Sequence, residues 1–286
     1  MEITRTAARR RTLAALAGTA VIAVGVQIPA SAGTPTGQET PRAAGSAAAN
    51  AGFSEAADEE YYKDAEGKTG EELKTALNTI ISTGVTTLSY DEVWDALKET
   101  DQDPANAGNV ILLYSGESDS ADNNGGDTGN WNREHVWAKS HGDFGTSNGP
   151  GTDVHHLRPT NVQVNSSRGN KDFDAGGEEV EGAPGNFTDD DSWEPRDEVK
   201  GDVARMILYM DVRYEGNDDF PDLEANDEVD NGSAPNHGRL SVLKQWNEED
   251  PPDDFEKNRN QVIFDNVQKN RNPFIDHPEW VGEIYK

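Results

Sequence analysis

The 286-residue chain has no cysteine, three methionines, and only 25 Lys and Arg against 54 Asp and Glu. Without cysteine there can be no disulfide, no thiolate metal site and no cysteine nucleophile. The shortage of basic residues leaves a formal charge of −29. That argues against a broadly basic face of the kind polyanion binders use. Long apolar runs are equally scarce. Residues 13–26 form one, too short to span a bilayer comfortably, and no later segment is apolar enough to cross a membrane.

That run follows Arg5, Arg9, Arg10 and Arg11 and precedes Ala30-Ser31-Ala32. A charged start, an apolar middle and a small-x-small end make residues 1–32 a secretory signal peptide, so the protein is expected outside the cell with no membrane attachment after cleavage. Arg10-Arg11 also admits a twin-arginine export reading. Residues 33–52 are rich in Ala, Gly, Thr, Pro and Ser. They cannot bury enough apolar surface to offset ordering entropy and read as a disordered linker. Residues 53–286 are then one folded domain, expected to be monomeric. Residues 1–32 carry a net +3, which leaves −32 on the rest.

The acid is unevenly spread. It is dense at 55–60, 189–191, 218–230 and 248–254, whereas the 133–171 stretch carries Arg133, Lys139, Arg158, Arg168 and Lys171. The acidic blocks read as a solvated surface. The basic stretch allows a locally positive site on an acidic body.

The elements are mainly helical with a few short strands, an α+β chain. Leu73, Leu77, Ile80 and Ile81 give 61–84 a helical period. Ser89 is a plausible cap for a second helix carrying Val93, Trp94 and Leu97. The apolar run in 109–115 suits a buried strand, and 119–129 a loop. Residues 134–138 read as extended, 140–152 as a loop, and 154–157 as a second strand ended by Pro159. Residues 160–167 read as a helix capped by Thr160. Residues 197–214 form the strongest helix, with Val199, Val203, Met206, Ile207 and Met210 on one face. Further helical pieces fall at 240–246 and 255–267, and 272–276 is a turn. Gly67-Lys68-Thr69 resembles part of a phosphate loop but lacks its first glycine.

Within about forty residues of that strand–loop–strand–helix stretch lie the parts needed to cut a phosphodiester bond. His135 can take a proton from water, since an imidazole titrates near neutrality. Magnesium keeps several waters and needs few protein oxygens, and Glu134 with Asn165 would supply two. Neighbours on a strand point to opposite faces, so Glu134 and His135 can share a site only where the strand ends or bends. Arg168 lies one helical turn from Asn165 and can approach the same phosphate. Arg158 and Arg133 are rival holders. His155-His156 invites a zinc reading with Asp153, but adjacent strand residues point apart and no third His or Cys is near. Packing under the site, with Asp153 as orienter, suits them better.

The pattern resembles the bacterial endonuclease I family, secreted or periplasmic nucleases of the His-Me finger (ββα-metal) superfamily. The resemblance covers most of the chain after the leader. It is carried by Arg133-Glu134-His135-Val136, by Asp153-Val154-His155-His156-Leu157-Arg158-Pro159 and by Val164-Asn165-Ser166-Ser167-Arg168-Gly169-Asn170. Residues 200–205 and 268–276 match later parts of the family. The resemblance implies a ββα-metal motif embedded in a helical body, with His135 as base and Glu134 and Asn165 as Mg²⁺ ligands, Mn²⁺ or Ca²⁺ being substitutes. It also implies non-specific cleavage of DNA, with RNA a second substrate, to 5′-phosphate products. The family places its phosphate arginine in the loop after the base, and the 140–152 loop here contains none. Arg168 and Arg158, with Arg133, are the remaining holders. Two rival readings stand at this point. One is a non-catalytic acidic protein binding calcium or cell-wall polymers. The other is a phosphodiesterase acting on a non-nucleic substrate. A nuclease needs its basic residues to converge beside His135; a binding protein does not.

Overall fold

The computed structural model describes residues 53–286. The leader and linker expected at 1–32 and 33–52 lie outside the described residues. The chain opens with helices α1 (Glu55–Tyr61), α2 (Gly70–Ser82) and α3 (Glu92–Thr100). The helical region expected at 61–84 starts later, because Gly67 adopts a left-handed φ of +70° and breaks the path between α1 and α2. Leu73, Leu77 and Ile81 of α2 are buried, as their spacing requires. Ser89 and Glu92 form a reciprocal cap before α3, with Glu92 accepting from the Ser89 backbone N–H at 2.7 Å.

Strands β1 (Gln102–Asp103), β2 (Asn106–Ile111) and β3 (Ser118–Ser120) form an antiparallel sheet in that order. The expected strand at 109–115 thus starts and ends earlier, and part of the expected 119–129 loop is strand. Next come β4 (Trp131–His135), β5 (Leu157–Asn161) and α4 (Val162–Arg168). β4 and β5 pair antiparallel, with Glu134 opposite Arg158 and His135 opposite Leu157. Pro159 does not end β5 but sits inside it, opposite Arg133. A two-stranded ribbon tolerates the missing N–H, and the Pro159 carbonyl accepts from Leu113 on the other side at 2.9 Å. The helix cap is Asn161 rather than Thr160. Its side chain accepts from the backbone of Gln163 and Val164.

Strands β6 (Asp172–Phe173), β7 (Glu178–Glu179), β8 (Phe187–Thr188) and β9 (Ser192–Glu194) make a sheet in the order β6-β9-β8-β7. Helix α5 (Lys200–Arg213) follows, then the parallel pair β10 (Glu224–Ala225) and β11 (Asn236–His237). Helices α6 (Leu240–Glu249), α7 (Asp254–Val262), α8 (Pro273–Asp276) and α9 (Trp280–Ile284) complete the chain, with a π-helical turn at Ile263–Val267 after α7. The architecture is α+β.

Helix α5 is buried on every side from Gly201 to Arg213, not on one stripe. Its charges make this feasible because neighbours supply countercharge: Arg205 meets Glu256 at 2.6 Å, Asp202 meets Arg158 at 3.3 Å and Asp211 meets Lys74 at 2.8 Å. Gly201 permits the packing, since a Cβ there would lie 1.9 Å from the Asp250 carbonyl oxygen. Two apolar clusters result. The larger surrounds α5 and takes in Val136 and Trp137; the smaller holds Val93, Leu97, Val110, Trp131 and Leu157. β4 therefore starts in one core and exits into the other, and Glu134 and His135 sit at the junction.

Candidate active site

β4 ends at His135, which is the condition for Glu134 and His135 to serve one site. A cleft of about 500 Å³ opens at that end, lined among others by Tyr90, Arg133, Glu134, His135, Lys139 and Asn165. Strand alternation puts Asn132 and Glu134 on one face and Arg133 and His135 on the other. α4 covers the first face; Tyr90 lies against the second, 5.9 Å from the His135 ring.

His135 is buried at 7% exposure, and its Nε2 lies 3.1 Å from the Gly151 carbonyl oxygen. A carbonyl only accepts, so Nε2 carries the proton and Nδ1 is the free base. Burial, with the neighbouring His156 next, holds the imidazole well below its ordinary pKa. It is neutral near pH 7, as a proton acceptor must be.

Glu134 is buried, and both its contacts fall on Oε1: the Tyr114 hydroxyl donates at 2.8 Å and the Arg168 guanidinium lies at 3.3 Å. Burial pushes its carboxyl pKa up, against the pull of Arg168 and Tyr114. Asn165, on α4, donates its Nδ2 to Asn132 Oδ1 at 2.8 Å. That bond fixes the amide and leaves its carbonyl oxygen as an acceptor without this duty. The two oxygens are hard donors, and the set contains no sulfur. It fits magnesium.

The arginines are placed differently from expectation. Arg168 is buried at 1% exposure, with Nη1 donating to the His135 carbonyl at 2.9 Å and Nη2 to the Val136 carbonyl at 2.7 Å. Arg158 is equally buried and is held by Asp101 and Asp202. Neither lines the cleft. Their guanidiniums are occupied by internal partners, so their placement does not match a phosphate-holding role. Arg133 does line the cleft, with its guanidinium carbon 3.4 Å from the Tyr90 ring centroid and 3.9 Å from that of Trp94. Exposed Lys139 joins it. Two cations thus converge beside His135.

The Endonuclease I family model matches residues 69–279. The chain belongs to the endonuclease I family. The extracellular ribonuclease of Bacillus subtilis (strain 168) is 68% identical over 225 residues, covering 79% of this chain and 78% of that protein. The extracellular ribonuclease of Bacillus amyloliquefaciens is 67% identical over 227 residues, with the same shares. This endonuclease I family member is a nuclease and therefore a hydrolase. Family membership overturns the reading as a non-catalytic acidic binding protein. Among the described residues no helix is long and apolar enough to cross a membrane.

The histidine pair of this nuclease lies on a turn ahead of β5, not on a strand. His155 Nε2 meets the Asn270 side chain at 3.1 Å, and its ring lies 4.4 Å from that of Tyr209. His156 Nε2 donates to the Pro150 carbonyl at 2.7 Å, and its ring packs 5.7 Å from His135. Asp153 accepts from Tyr209 and Tyr214 and from the His155 backbone. The imidazoles diverge, which removes the basis for a zinc site and leaves packing under His135. Sequence reasoning missed Asn132, Tyr114 and Tyr90. Asn132 was detectable, two residues from Glu134 on the same strand face. Tyr114 and Tyr90 come from separate elements and gave no local cue.

Proposed function

We propose that this nuclease is a secreted, monomeric, magnesium-dependent endonuclease of the ββα-metal kind. Its catalytic domain would span 53–286 and cleave RNA and DNA alike to 5′-phosphate products. The observation that carries the reading is the proton address on His135: Nε2–H is tied to Gly151, which leaves Nδ1 as a base in the cleft that also holds Glu134 and Asn165.

His135 Nδ1 takes a proton from a water, which attacks the phosphorus. Arg133 and Lys139 hold the non-bridging oxygens. Glu134 and the Asn165 carbonyl would hold Mg²⁺, which when bound offsets charge on the leaving 3′-oxygen. Mn²⁺ or Ca²⁺ would suit the same oxygen donors. Since the nucleophile is water, the ribose 2′-hydroxyl is dispensable, and DNA is a substrate on the same terms as RNA. The relatives' name, extracellular ribonuclease, supports RNA as a substrate and the outside of the cell as the workplace.

The test is cleavage of matched RNA and DNA strands in Mg²⁺ and in EDTA, with end-group analysis. Both strands should be cut in Mg²⁺ to 5′-phosphate ends, and neither in EDTA. RNA cleavage to 2′,3′-cyclic phosphate with DNA untouched would sink the proposal.

A further inference from the structure

Three buried residues, Arg168 and Asp172 close together in sequence and His237 far from both, stand behind the cleft. Asp172 Oδ1 lies 3.2 Å from His237 Nδ1, and His237 Nε2 lies 3.1 Å from Arg168 Nη2. All three are at most 1% exposed. A guanidinium only donates, so His237 Nε2 accepts and the ring proton sits on Nδ1, which lies 3.2 Å from Asp172 Oδ1 and 3.4 Å from the Gly238 carbonyl oxygen. The ring has little room to turn. It stacks on Phe173 at 5.3 Å and meets Trp137 edge-on at 5.3 Å. Arg168 then makes three contacts at the catalytic strand: the His135 carbonyl, the Val136 carbonyl and Glu134 Oε1.

His141 lies close to this pair, so His141, Asp172 and His237 together have the composition of a metal site. Their hydrogen bonds argue otherwise. Asp172 Oδ1 already accepts from the Gly238 backbone and the Asn231 side chain, and Oδ2 from the Asn231 backbone. His141 Nδ1 donates to the Asn236 carbonyl at 2.7 Å. A fixed guanidinium faces the one acceptor nitrogen of His237, and that charge repels a cation.

We propose that Asp172 and His237 are positioning residues that hold Arg168 and, through it, Glu134 and the end of β4 in the geometry the metal needs. The inference rests on the reading of Glu134 as a metal ligand. Neither residue reaches the cleft. Their effect passes through the guanidinium: Nη2 is shared between the Val136 carbonyl and His237 Nε2, and loss of the His237 nitrogen frees the group to shift relative to Glu134.

Two amides separate this role from bulk packing. A glutamine can place its carbonyl oxygen near the Nε2 position and restore the acceptor for Arg168. An asparagine reaches only the Nδ1 position and restores the contact to Asp172. The measurement is Mn²⁺ binding by calorimetry to the full chain, with thermal midpoints alongside. His237→Asn should bind Mn²⁺ about 10-fold more weakly, the usual scale for loss of an outer partner, and His237→Gln should stay close to wild type. Asp172→Asn should weaken binding in the same direction, and serves if His237→Asn does not fold.

Wild-type Mn²⁺ binding by a folded His237→Asn, or equal loss in Gln and Asn, would overturn the proposal. So would one tightly bound zinc per purified chain. Glu134→Ala is the control. If it binds Mn²⁺ like wild type, the ligand reading fails on its own. The Arg168 side-chain ¹⁵N resonances then decide the link: averaged in His237→Asn and wild-type-like in His237→Gln supports it, and unchanged in both overturns it.

Discussion

Glu134 and Arg158 face each other across the β4–β5 ladder, yet the cation that meets Glu134 is Arg168, 3.3 Å away on α4. Arg158 instead joins Asp101 and Asp202 beneath α5. Register alone would have paired the first two. Arg158 is thus held in the interior while Arg133 lines the cleft, and the difference can be measured. Breaking a buried ion network by removing one member typically costs about 3–5 kcal/mol. Arg158→Ala should therefore lower the denaturant midpoint strongly, while turnover per folded molecule changes little. Arg133→Ala should do the reverse, raising KM with a small stability change. Equal stability losses in the two variants would contradict the assignment.

His135→Ala removes the proposed proton acceptor. General-base catalysis is worth about 10²–10⁴-fold, so kcat should fall by that range. The ring's bond to Gly151 is one neutral hydrogen bond, worth about 1 kcal/mol. The thermal midpoint should accordingly move by a few degrees only. Turnover near wild type in a folded His135→Ala would show that the base lies elsewhere.

The sequence made the placement of His135, Glu134 and Asn165 in one cleft more legible than the supports behind them. His135, Glu134 and Asn165 are short-range features: two neighbours on a strand end and one residue on the next helix. Residue type and spacing were enough to bring them together. The placement of Arg158 and Arg168 was not legible, because burial depends on distant partners. Arg158 is claimed by Asp101 and Asp202, and Arg168 by His237, none of them adjacent in the chain. The fold shows the same division. α2 and its Leu73, Leu77 and Ile81 followed from periodicity. The full burial of α5 did not, because its polar positions look solvent-facing until Glu256 and Lys74 are brought against them.

The contribution of His155 and His156 to stability should fall as the solution is acidified from pH 7 to 4. Burial, opposed by Asp153, lowers both His155 and His156 from 6.5 to about 4. Below 6.5 the unfolded chain takes up these protons while the folded chain does not, so this contribution declines with falling pH until the folded groups titrate near 4. A shift of this size is worth on the order of 3 kcal/mol for each imidazole. Asp153, whose pKa is lowered despite its burial by the nearby histidines and its hydrogen bonds, acts in a lower window, losing its contribution only as pH falls through its folded value. Buried Asp211 and Glu256, raised to about 7 and about 8, act in the opposite sense, so the histidines are isolated by the difference in urea midpoint between wild type and a folded His155→Gln/His156→Gln variant, which should fall from pH 7 to 4. A flat difference from pH 6.5 to 4.5 would mean that the histidines are not buried as neutral rings.

Salt should affect this nuclease less than it affects a basic one. The cleft offers Arg133 and Lys139 to the substrate backbone and lines itself with one carboxylate, Glu134. With about two phosphate contacts on a single strand, counterion release gives a log–log slope near −1.4, against steeper slopes for proteins making many contacts. Acting against this, residues 33–286 carry a formal −32, which repels a polyanion over distances that salt shortens, from about 10 Å at 0.1 M to about 3 Å at 1 M. Moderate salt therefore screens the repulsion first and weakens the close contacts only modestly. KM for single-stranded substrate at saturating Mg²⁺ should stay flat or fall between low and moderate salt, and rise gently beyond. A steep rise from the lowest salt onward would require many more phosphate contacts than these two cations supply, and would place the binding surface beyond this cleft.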